Sequence, residues 1–217
     1  MKKELRQWEN FIQYYLEINE KINLTAIKDP DEFFIKNILD SLSIEDLLDL
    51  KNQSLLDLGC GGGFPSLPLA IVYPELQITG IDAIQKKLNA IESIKNHFNI
   101  QNLDTICARA ELLAHDELYR EKFDIVVTRA VASYRVLLEL TAAFLKKDGK
   151  LFCYQGPAIL DDLKENPDYH KIFGLELIKT HQIELTGNKR IILEFIKTQN
   201  TDEKFPRKYN QIKNKKL

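Results

Sequence analysis

The stretch Ser54-Leu55-Leu56-Asp57-Leu58-Gly59-Cys60-Gly61-Gly62-Gly63-Phe64 decides the fold. A short apolar run reaches an acidic residue and then breaks into four glycines among five residues, and an apolar helical pattern follows from Leu67 to Ile71. This pattern predicts a buried strand that turns sharply into a helix. Glycines at such a turn permit positive φ and let a ligand approach the backbone closely. The turn also places N–H groups at a helix start, where open parallel sheets bind ligands.

The spacing of the glycines separates three kinds of cofactor loop. The dinucleotide fingerprint G-x-G-x-x-G/A would need glycine or alanine where this chain has Phe64 or Ser66. A phosphate-binding P-loop needs Gly-Lys-Ser/Thr, and no lysine follows the glycines before Lys86. The pattern Asp57-x-Gly59-x-Gly61-x-Gly63 instead resembles the first motif of Rossmann-like S-adenosylmethionine (SAM) methyltransferases. A glycine-rich loop without a ligand is the alternative.

Length and composition indicate an ordinary globular protein. The 217 residues are enough for one domain, or one domain with an extension. Charged residues make up 29% and hydrophobic residues 44% of the chain. The net charge of −2 provides no global attraction to nucleic acid, so such binding would need a local basic patch.

The cysteines and the N-terminal segment indicate the compartment, and the cysteine spacing argues against a metal site. Three widely spaced cysteines without a Cys-x-x-Cys pair favour a reducing compartment over a disulfide scaffold or zinc site. The charged N-terminal segment lacks a hydrophobic signal core, and no apolar run approaches membrane-spanning length. We therefore expect a cytoplasmic protein with no membrane association and no metal.

The first part of the chain, residues 1–50, is predicted to be a helical extension. Apolar residues recur at helical spacing over residues 3–20. Asp29, followed by a proline and two acids, predicts the N-cap of a second helix that continues to about residue 42. Ser43 with Asp46 resembles a capping box that would begin another short helix, ending near residue 50.

From residue 51 to about residue 200, strand and helix patterns alternate. This order predicts an α/β fold with a mostly parallel sheet covered by helices on both faces. A helix after Ser133 is expected to run through Leu145 and to stop at Asp148-Gly149. The predicted strands cover residues 54–58, 76–81, 103–108, 123–128, 150–154, 175–185 and 189–197.

Two charged residues follow predicted strands of this sheet. Asp82 ends the second strand a little over twenty residues past the first glycine, where nucleotide-binding Rossmann units place a carboxylate for the ribose hydroxyls. The alternative for Asp82 is the N-cap of the next helix. Arg129 ends the fourth strand and is the candidate reaction-site residue, in a positioning role, with a structural arginine as the alternative.

The C-terminal tail, residues 201–217, is basic. From Lys204 onward it contains six lysines and arginines and no acid. With Phe205 and Tyr209 between these charges, the tail could contact RNA phosphates and stack on bases. A frayed, solvated terminus is the other interpretation, and the sequence leaves both open.

Several separated segments together resemble the bacterial 16S ribosomal RNA guanine-N7 methyltransferases, also called the glucose-inhibited division protein B family. The resemblance spans roughly residues 20–196 and is weaker around Arg190. The glycine motif alone would indicate only the superfamily, whereas the combination is more specific. It is carried by Asn23-Leu24-Thr25, Asn37-Ile38-Leu39-Asp40-Ser41, residues 57–69, Ile81-Asp82 with Lys86-Lys87, Arg109-Ala110-Glu111 and Thr128-Arg129-Ala130-Val131-Ala132-Ser133.

The resemblance implies a Rossmann-like class I fold with a seven-stranded sheet, SAM as cofactor, and 16S ribosomal RNA or the small ribosomal subunit as partner. Asp82 would hold the ribose, Ala110 and Glu111 would lie near the adenine, and Arg129 would lie between cofactor and RNA. The implied cofactor-binding residues are Gly59, Gly61, Gly63, Phe64, Asp82, Ala110, Glu111 and Arg129. Candidates for RNA backbone contacts are Arg109, Lys86, Lys87 and Arg190, each with an ordinary surface charge as the alternative. A monomer is expected.

Three positions depart from the family pattern. Asn37 stands where histidine is usual, and Gln155 stands where lysine often follows the fifth strand, so a positive contact to RNA is missing there. Ser66 replaces a common glycine, a change that we expect to matter little.

The chemistry of guanine N7 agrees with this motif inventory. N7 has a lone pair and no proton to lose, so direct in-line attack on the methyl group needs no general base. The chain lacks an Asn/Asp-Pro-Pro-aromatic motif for exocyclic amines and a Pro-Cys pair for C5-pyrimidine attack. A SAM methyltransferase for a small molecule or protein, and an inactive SAM- or RNA-binding module, are the alternative functions.

Overall fold

The computed structural model describes residues 2–47, 53–129 and 132–214. Within these ranges seven strands form one sheet in the order β3-β2-β1-β4-β5-β7-β6. The first five strands are parallel, and β7 pairs antiparallel with both β5 and β6. The strands are β1 Ser54–Leu58, β2 Gln77–Asp82, β3 Leu103–Cys107, β4 Phe123–Arg129, β5 Leu145–Gln155, β6 Leu175–Leu185 and β7 Asn188–Lys197.

Helices cover both faces of the sheet, which confirms the predicted α/β class. Between α2 and α3 the segment Phe34–Leu39 is π-helical, so the predicted second helix runs through to Leu42 in three joined segments. The helices are α1 Lys2–Ile22, α2 Pro30–Phe33, α3 Asp40–Leu42, α4 Ser66–Val72, α5 Gln85–Phe98, α6 Ala110–Leu113, α7 Tyr134–Ala142, α8 Ile159–Glu165 and α9 Tyr209–Asn214.

The strand order creates a switch point between β1 and β4. Leu55 of β1 pairs with Ile78 of β2 on one side and with Ile125 of β4 on the other. From β1 the chain adds β2 and then β3 on one side of β1. It then crosses back and places β4 on the other side of β1. In open α/β sheets a crevice forms at such a point, outside the carboxyl ends of the strands.

The N-terminal helices share a hydrophobic core with one face of the sheet. Trp8, Phe11 and Tyr15 of α1 are buried in the same cluster as Leu88 and Ile91 of α5. A second cluster covers the other face and includes α7 and the C-terminal segment. The segment from Trp8 to Ile44 is therefore packed against the rest of the protein through burial of large apolar side chains, which stabilises such contacts.

Caps in the first fifty residues only partly follow the prediction. The carboxylate of Asp29 accepts a hydrogen bond from the N–H of Glu32 at 2.8 Å, which confirms this N-cap. The predicted capping box at Ser43 is wrong, because Ser43 is the C-cap of α3 and its hydroxyl donates to the carbonyl of Asp40 at 2.6 Å. A 3₁₀ turn, Glu45–Leu47, follows, and the predicted helix end near residue 50 lies outside the described residues.

The boundary between α7 and β5 also differs from the prediction. Helix α7 ends at Ala142 and β5 begins at Leu145, so the predicted helix is too long and the predicted strand too short. The pairing of β4 with β5 shifts its register between Phe123 and Ile125. Asp148, with φ of +66°, lies within this irregular part of β5, so Asp148-Gly149 forms a local distortion of the strand rather than a helix stop.

The C-terminal tail is packed on the protein up to residue 214. Phe205 and Ile212 are buried in the second cluster, and Phe205 lies 5.1 Å from Phe173, ring centroid to centroid. The frayed terminus is therefore wrong for the described residues, and Phe205 is not available to stack on a base. Tyr209 remains exposed.

Candidate active site

The glycine turn between β1 and α4 lies at the switch point. Gly59, Gly61 and Gly63 have φ values of +77°, +55° and +89°, a region that glycine enters without steric cost. A Cβ on Gly61 would meet only the carbonyl oxygen of Gly59, at 3.7 Å, so this backbone is open to a ligand. A Cβ on Gly63 would lie 2.4 Å from Cδ1 of Leu67, so this glycine instead permits close packing of α4.

A cavity of about 490 Å³, here the first cavity, opens beside the turn at the carboxyl ends of β1 to β4. The structure brings most of the predicted cofactor residues together around it, although they come from four separate segments. Gly63, Phe64, Lys86 and Arg190 are not among its lining residues. The predicted site residues that line it are Gly59, Gly61, Asp82, Lys87, Arg109, Ala110, Glu111 and Arg129.

Asp82 faces the first cavity from the end of β2. One carboxylate oxygen accepts a hydrogen bond from the N–H of Gly61 at 3.0 Å, and the other accepts from the N–H of Ile84 at 2.9 Å. Ile84, not Asp82, is the N-cap of α5, so the alternative interpretation of this acid is wrong. The two bonds orient the carboxylate beside the open glycine backbone.

Phe64 lies beneath the turn rather than on the cavity wall. Its ring is buried against Tyr15 and Phe33, with centroid separations of 5.2 and 5.5 Å. The hydroxyl of Tyr15 donates to the carbonyl of Gly62 at 2.8 Å. This aromatic cluster supports the glycine turn from α1 and α2, so the Phe64 side chain has a packing role.

Asp57, the acidic residue of the glycine motif, is fully buried behind the turn. Burial raises the pKa of Asp57 to about 6, although hydrogen bonds from Ser66 oppose this shift. The N–H of Ser66 donates to Oδ2 at 3.2 Å and the Ser66 hydroxyl donates to the same oxygen. The serine, predicted to matter little, therefore supplies two bonds to the motif carboxylate.

Arg129 connects the sheet with the N-terminal helices. Its Nη2 donates to the carbonyl of Lys36 at 2.7 Å and to Oδ1 of Asn37 at 3.1 Å, and its Nε lies 3.1 Å from Asp40 Oδ2. Two of these partners belong to the π-helical segment, a geometry that often occurs at functional sites. Burial lowers the pKa of Arg129, and the Asp40 carboxylate opposes this shift.

Asp40 also binds Arg190 of β7. Arg190 donates from Nε to Oδ1 at 2.6 Å and from Nη2 to Oδ2 at 2.7 Å, a bidentate ion pair with a buried carboxylate. Arg190 is thus placed in an internal ion pair, and its predicted contact with the RNA backbone stays a prediction. One buried carboxylate holds two arginines that are 61 residues apart along the chain.

A second cavity, of about 250 Å³, adjoins this ion-pair cluster. Its wall combines cationic side chains with apolar ones, and Arg129 belongs to the walls of both cavities. The second cavity is lined by Ile27, Ile35, Lys36, Asp40, Arg129, Leu185, Lys189 and Arg190.

The other predicted cationic contacts separate into two groups. Lys87 and the exposed Arg109 line the first cavity. Lys86 is exposed on the adjacent position of α5 and lines a groove between α1 and α5, beside Lys21. All three contacts with RNA remain predictions.

Two of the three departures from the family pattern, Asn37 and Gln155, have buried polar atoms without partners among the described residues. Nδ2 of Asn37 and Nε2 of Gln155 are buried without a hydrogen-bond partner within the described ranges. Nη1 of Arg129 and Oδ1 of Asp57 share this state. Buried polar atoms without partners are rare, and these four, together with Oγ1 of Thr128, lie at or beside the carboxyl ends of β1, β4 and β5.

Two residues of the site are not predicted from the sequence to line either cavity. Asp40 lies within the Asn37–Ser41 segment that carries the resemblance, but its two arginine partners are distant in sequence. Tyr209 was considered only as a base-stacking residue of the tail, whereas it lines the first cavity. Its position depends on how the tail folds back, for which the sequence offers no local signal.

Within residues 2–47, 53–129 and 132–214, no group of three or more histidine, cysteine, aspartate or glutamate residues could hold a metal ion. In the same ranges no helix combines the length and apolar character needed to cross a membrane.

Known proteins resemble the chain in sequence and in fold. The family model described as rRNA small subunit methyltransferase G matches residues 4–192. A ribosomal RNA small subunit methyltransferase G from Lactococcus lactis subsp. cremoris is 37% identical over 209 residues, covering 95% of this chain and 88% of the relative. The protein of that name from Carboxydothermus hydrogenoformans is 35% identical over 209 residues, with coverage of 95% and 89%.

A solved structure supports the fold alone. A mutant 16S rRNA (adenine(1408)-N(1))-methyltransferase from Catenulisporales acidiphilia superimposes with a TM-score of 0.58. It is 15% identical in sequence, and the match covers 80% of this chain and 93% of that one. This match confirms the Rossmann-like methyltransferase architecture, but at 15% identity it assigns no role to any individual residue.

Proposed function

The chain belongs to the rRNA small subunit methyltransferase G family, and we propose that it methylates N7 of a guanosine in 16S ribosomal RNA. It is a methyltransferase whose methyl donor is SAM. SAM supplies an electrophilic methyl group on a sulfonium ion. The proposal concerns the acceptor atom and the residues that bind donor and acceptor.

The first cavity has the features that a SAM site requires. Gly61 offers open backbone, and the Asp82 carboxylate is oriented beside it by two hydrogen bonds. Asp82 would accept from the ribose hydroxyls, while Ala110 and Glu111 at the start of α6 would flank the adenine. Gly63 and Phe64 would act indirectly, because they shape and support the turn.

The position of Arg129 in the walls of both cavities carries the proposal. The second cavity has about half the volume of the first, which suits a ligand smaller than the cofactor. Ile35 and Leu185 provide apolar surface for a base, and Lys36 and Lys189 provide positive charge for its phosphates. A guanine there would lie next to the donor, with Arg129 at the boundary of the two cavities.

The reaction itself asks these residues for orientation rather than proton transfer. Guanine N7 carries a lone pair and loses no proton, and Arg129 would donate to guanine O6, an acceptor that arginine commonly binds. Asp40 is unsuited to act as a base, because both of its oxygens accept from arginine. Correct alignment of N7 with the methyl group would supply much of the rate enhancement.

Transfer of a labelled methyl group tests the proposal directly. We expect label from SAM to enter 16S ribosomal RNA or the small ribosomal subunit. The labelled RNA should become sensitive to aniline cleavage at one guanosine. Labelling at another atom or on another RNA would overturn the assignment of N7 or of the substrate. Transfer to a small molecule or protein without RNA would favour the alternative enzyme.

Single substitutions test the roles of the two cavities. Asp82→Ala should weaken SAM binding by calorimetry, whereas Arg129→Ala should reduce methylation more than it reduces SAM affinity or the unfolding temperature. Lys87→Ala is compared with Lys86→Ala, because each removes one lysine from α5 but only Lys87 lines the first cavity. Unchanged SAM affinity in the Asp82 variant would remove the ribose assignment.

We also infer the setting in which the protein acts. A ribosomal RNA substrate supports a cytoplasmic location, and we propose a monomer. Residues 51–200 would form the catalytic unit, residues 1–50 an extension that completes the acceptor side, and residues 201–217 a tail on the cofactor side. Light scattering at assay concentration tests the oligomeric state.

A further inference from the structure

Residues 201–214, here the C-terminal strap, are held against the protein by a dense set of contacts. The guanidinium of Arg120 donates to the carbonyls of Thr201, Asp202 and Phe205 at 2.8, 3.2 and 3.0 Å. Nε2 of His115 lies 2.8 Å from the carbonyl of Pro206, which can only accept. Such bonds hold the backbone of the strap itself rather than individual side chains.

The next residues of the strap are held by a buried acid on α7. Arg207 donates from its backbone N–H and from Nε to one oxygen of Glu139 at 2.8 and 2.9 Å, and from Nη2 to the other at 2.8 Å. Glu139 is fully buried, so this ion pair is shielded from solvent. Ile212 is buried in the same cluster as α7 and orients α9 against that helix.

These contacts bring Tyr209 to the first cavity. Tyr209 is 37% exposed and lines the cavity together with Leu140 of α7 and Ala132. It lies between Arg207 and Ile212, both of which are fixed, so its position follows from theirs. It is the aromatic side chain among the described lining residues, and its neighbours on this wall are apolar.

We propose that Tyr209 is a cofactor-binding residue, and that the C-terminal strap exists to bring its ring against the adenosine moiety of SAM. The inference rests on the assignment of the first cavity to SAM. An aromatic ring on an apolar wall binds the face of a purine, and stacking of this kind tolerates small changes of geometry. The hydroxyl is dispensable for this contact, whereas the ring is not.

The surroundings favour the cofactor over an RNA base as the occupant. Tyr209 shares the first cavity with Asp82, Ala110 and Glu111, the residues proposed to bind adenosine. It is absent from the wall of the second cavity, where the acceptor is proposed to bind.

Calorimetric titration with SAM, S-adenosylhomocysteine and adenosine tests the contact. Tyr209→Ala should weaken all three by roughly tenfold, since base–aromatic stacking is typically worth such a factor. Tyr209→Phe should bind within about twofold of the wild type because it keeps the ring. Gln211→Ala is the control, since Gln211 is exposed on the same helix and does not line the cavity.

A second variant tests the role of the strap. Arg120→Ala removes the three bonds from Arg120 to the strap without altering the first cavity's lining residues. We expect trypsin to cleave this variant faster at Lys208 and Lys213, and SAM to slow that cleavage. The variant should also lose SAM affinity, and combining it with Tyr209→Ala should cause no further loss. Thermal unfolding of each variant checks that it is folded.

The outcomes separate this inference from the proposed function. Wild type that binds SAM and methylates RNA, with Tyr209→Ala unchanged in affinity for all three ligands, would overturn the role of Tyr209 alone. Unchanged SAM affinity with weakened RNA binding by the same variant would assign the ring to the RNA. Wild type that does not bind SAM would overturn the proposed function itself.

Discussion

The two sides of the switch point build their sites by different means. On the side proposed to bind the cofactor, between β1 and β2, the geometry comes from the backbone: a glycine turn with positive φ and a carboxylate held by N–H groups. On the side proposed to bind the acceptor, between β4 and the N-terminal helices, it comes from charged side chains that converge on Asp40. The first arrangement is local in sequence, and the second joins residues as much as 150 positions apart.

This difference determines how each side fails. A turn built from backbone is disturbed by added volume, because a Cβ meets neighbouring atoms or demands an unfavourable φ. A cluster of buried ions is disturbed by removal of one partner, because the remaining charges are left unpaired in a medium that solvates them poorly. The following substitutions separate the two kinds of sensitivity, beginning with the largest expected effect.

Asp40→Ala should be the most damaging change. It leaves Arg129 and Arg190 facing each other without their shared carboxylate, and breaking a buried ion pair typically costs about 3–5 kcal/mol. Urea denaturation measures the loss. Asp161→Ala is the control, because its ion pair with Lys164 is highly exposed and should contribute less than about 1 kcal/mol. Equal effects of the two substitutions would contradict the buried-cluster account.

Gly63→Ala tests the backbone side. The alanine would have a φ of +89°, and its methyl group would lie 2.4 Å from Leu67 Cδ1. We expect the free energy of unfolding to fall by about 2–5 kcal/mol. Gly187→Ala has a similar φ, +83°, but no atom within 4 Å of the added Cβ, so it should cost only about 1–2 kcal/mol. A difference near zero between the two would show that α4 can shift to accept the methyl group.

The pH dependence of stability tests the burial of Asp57. Its pKa of about 6 in the folded protein lies above the ordinary value of 3.8, so the protonated form favours folding. This contribution is complete below about pH 4 and is lost as the pH rises through about 6.

Urea denaturation between pH 4 and pH 7 measures this effect against Asp57→Asn. The wild type should lose on the order of 2 kcal/mol of unfolding free energy relative to the variant. Parallel pH profiles for the two proteins would show that the carboxylate titrates normally.

Arg190→Lys should have the smallest effect on stability. Lysine keeps the charge but cannot reproduce the bidentate geometry, and the loss should be about 1 kcal/mol. RNA methylation should fall while SAM affinity stays the same, because Arg190 lines only the second cavity. Lys189→Ala, which removes an exposed charge from the same cavity, should leave stability unchanged. A change in SAM affinity with Arg190→Lys would show that the two cavities are not independent.

Much of the fold and part of the site could be predicted from local patterns. The β1 strand, the glycine turn and the end of β2 at Asp82 follow directly along the chain, and each has a strong periodicity or spacing signal. The boundary between α7 and β5 could not be predicted, because the paired positions jump from Leu145 with Phe123 to Lys150 with Ile125, and Asp148-Gly149 lies in the distortion between them. The dipeptide keeps its local turn preference, and pairing with β4 on either side of it joins the two parts into one strand.

The sequence by itself determined the cofactor side, since its glycines, the motif acid and Asp82 lie within about 25 consecutive residues whose backbone preferences are intrinsic. Only the tertiary structure decided that Asp40 holds Arg129 and Arg190 and that Tyr209 reaches the first cavity. These contacts depend on how distant segments pack, and burial of apolar surface sets that packing without leaving a local pattern in the chain. The sequence therefore shows which residues are charged, whereas only the folded structure shows which of these charges pair.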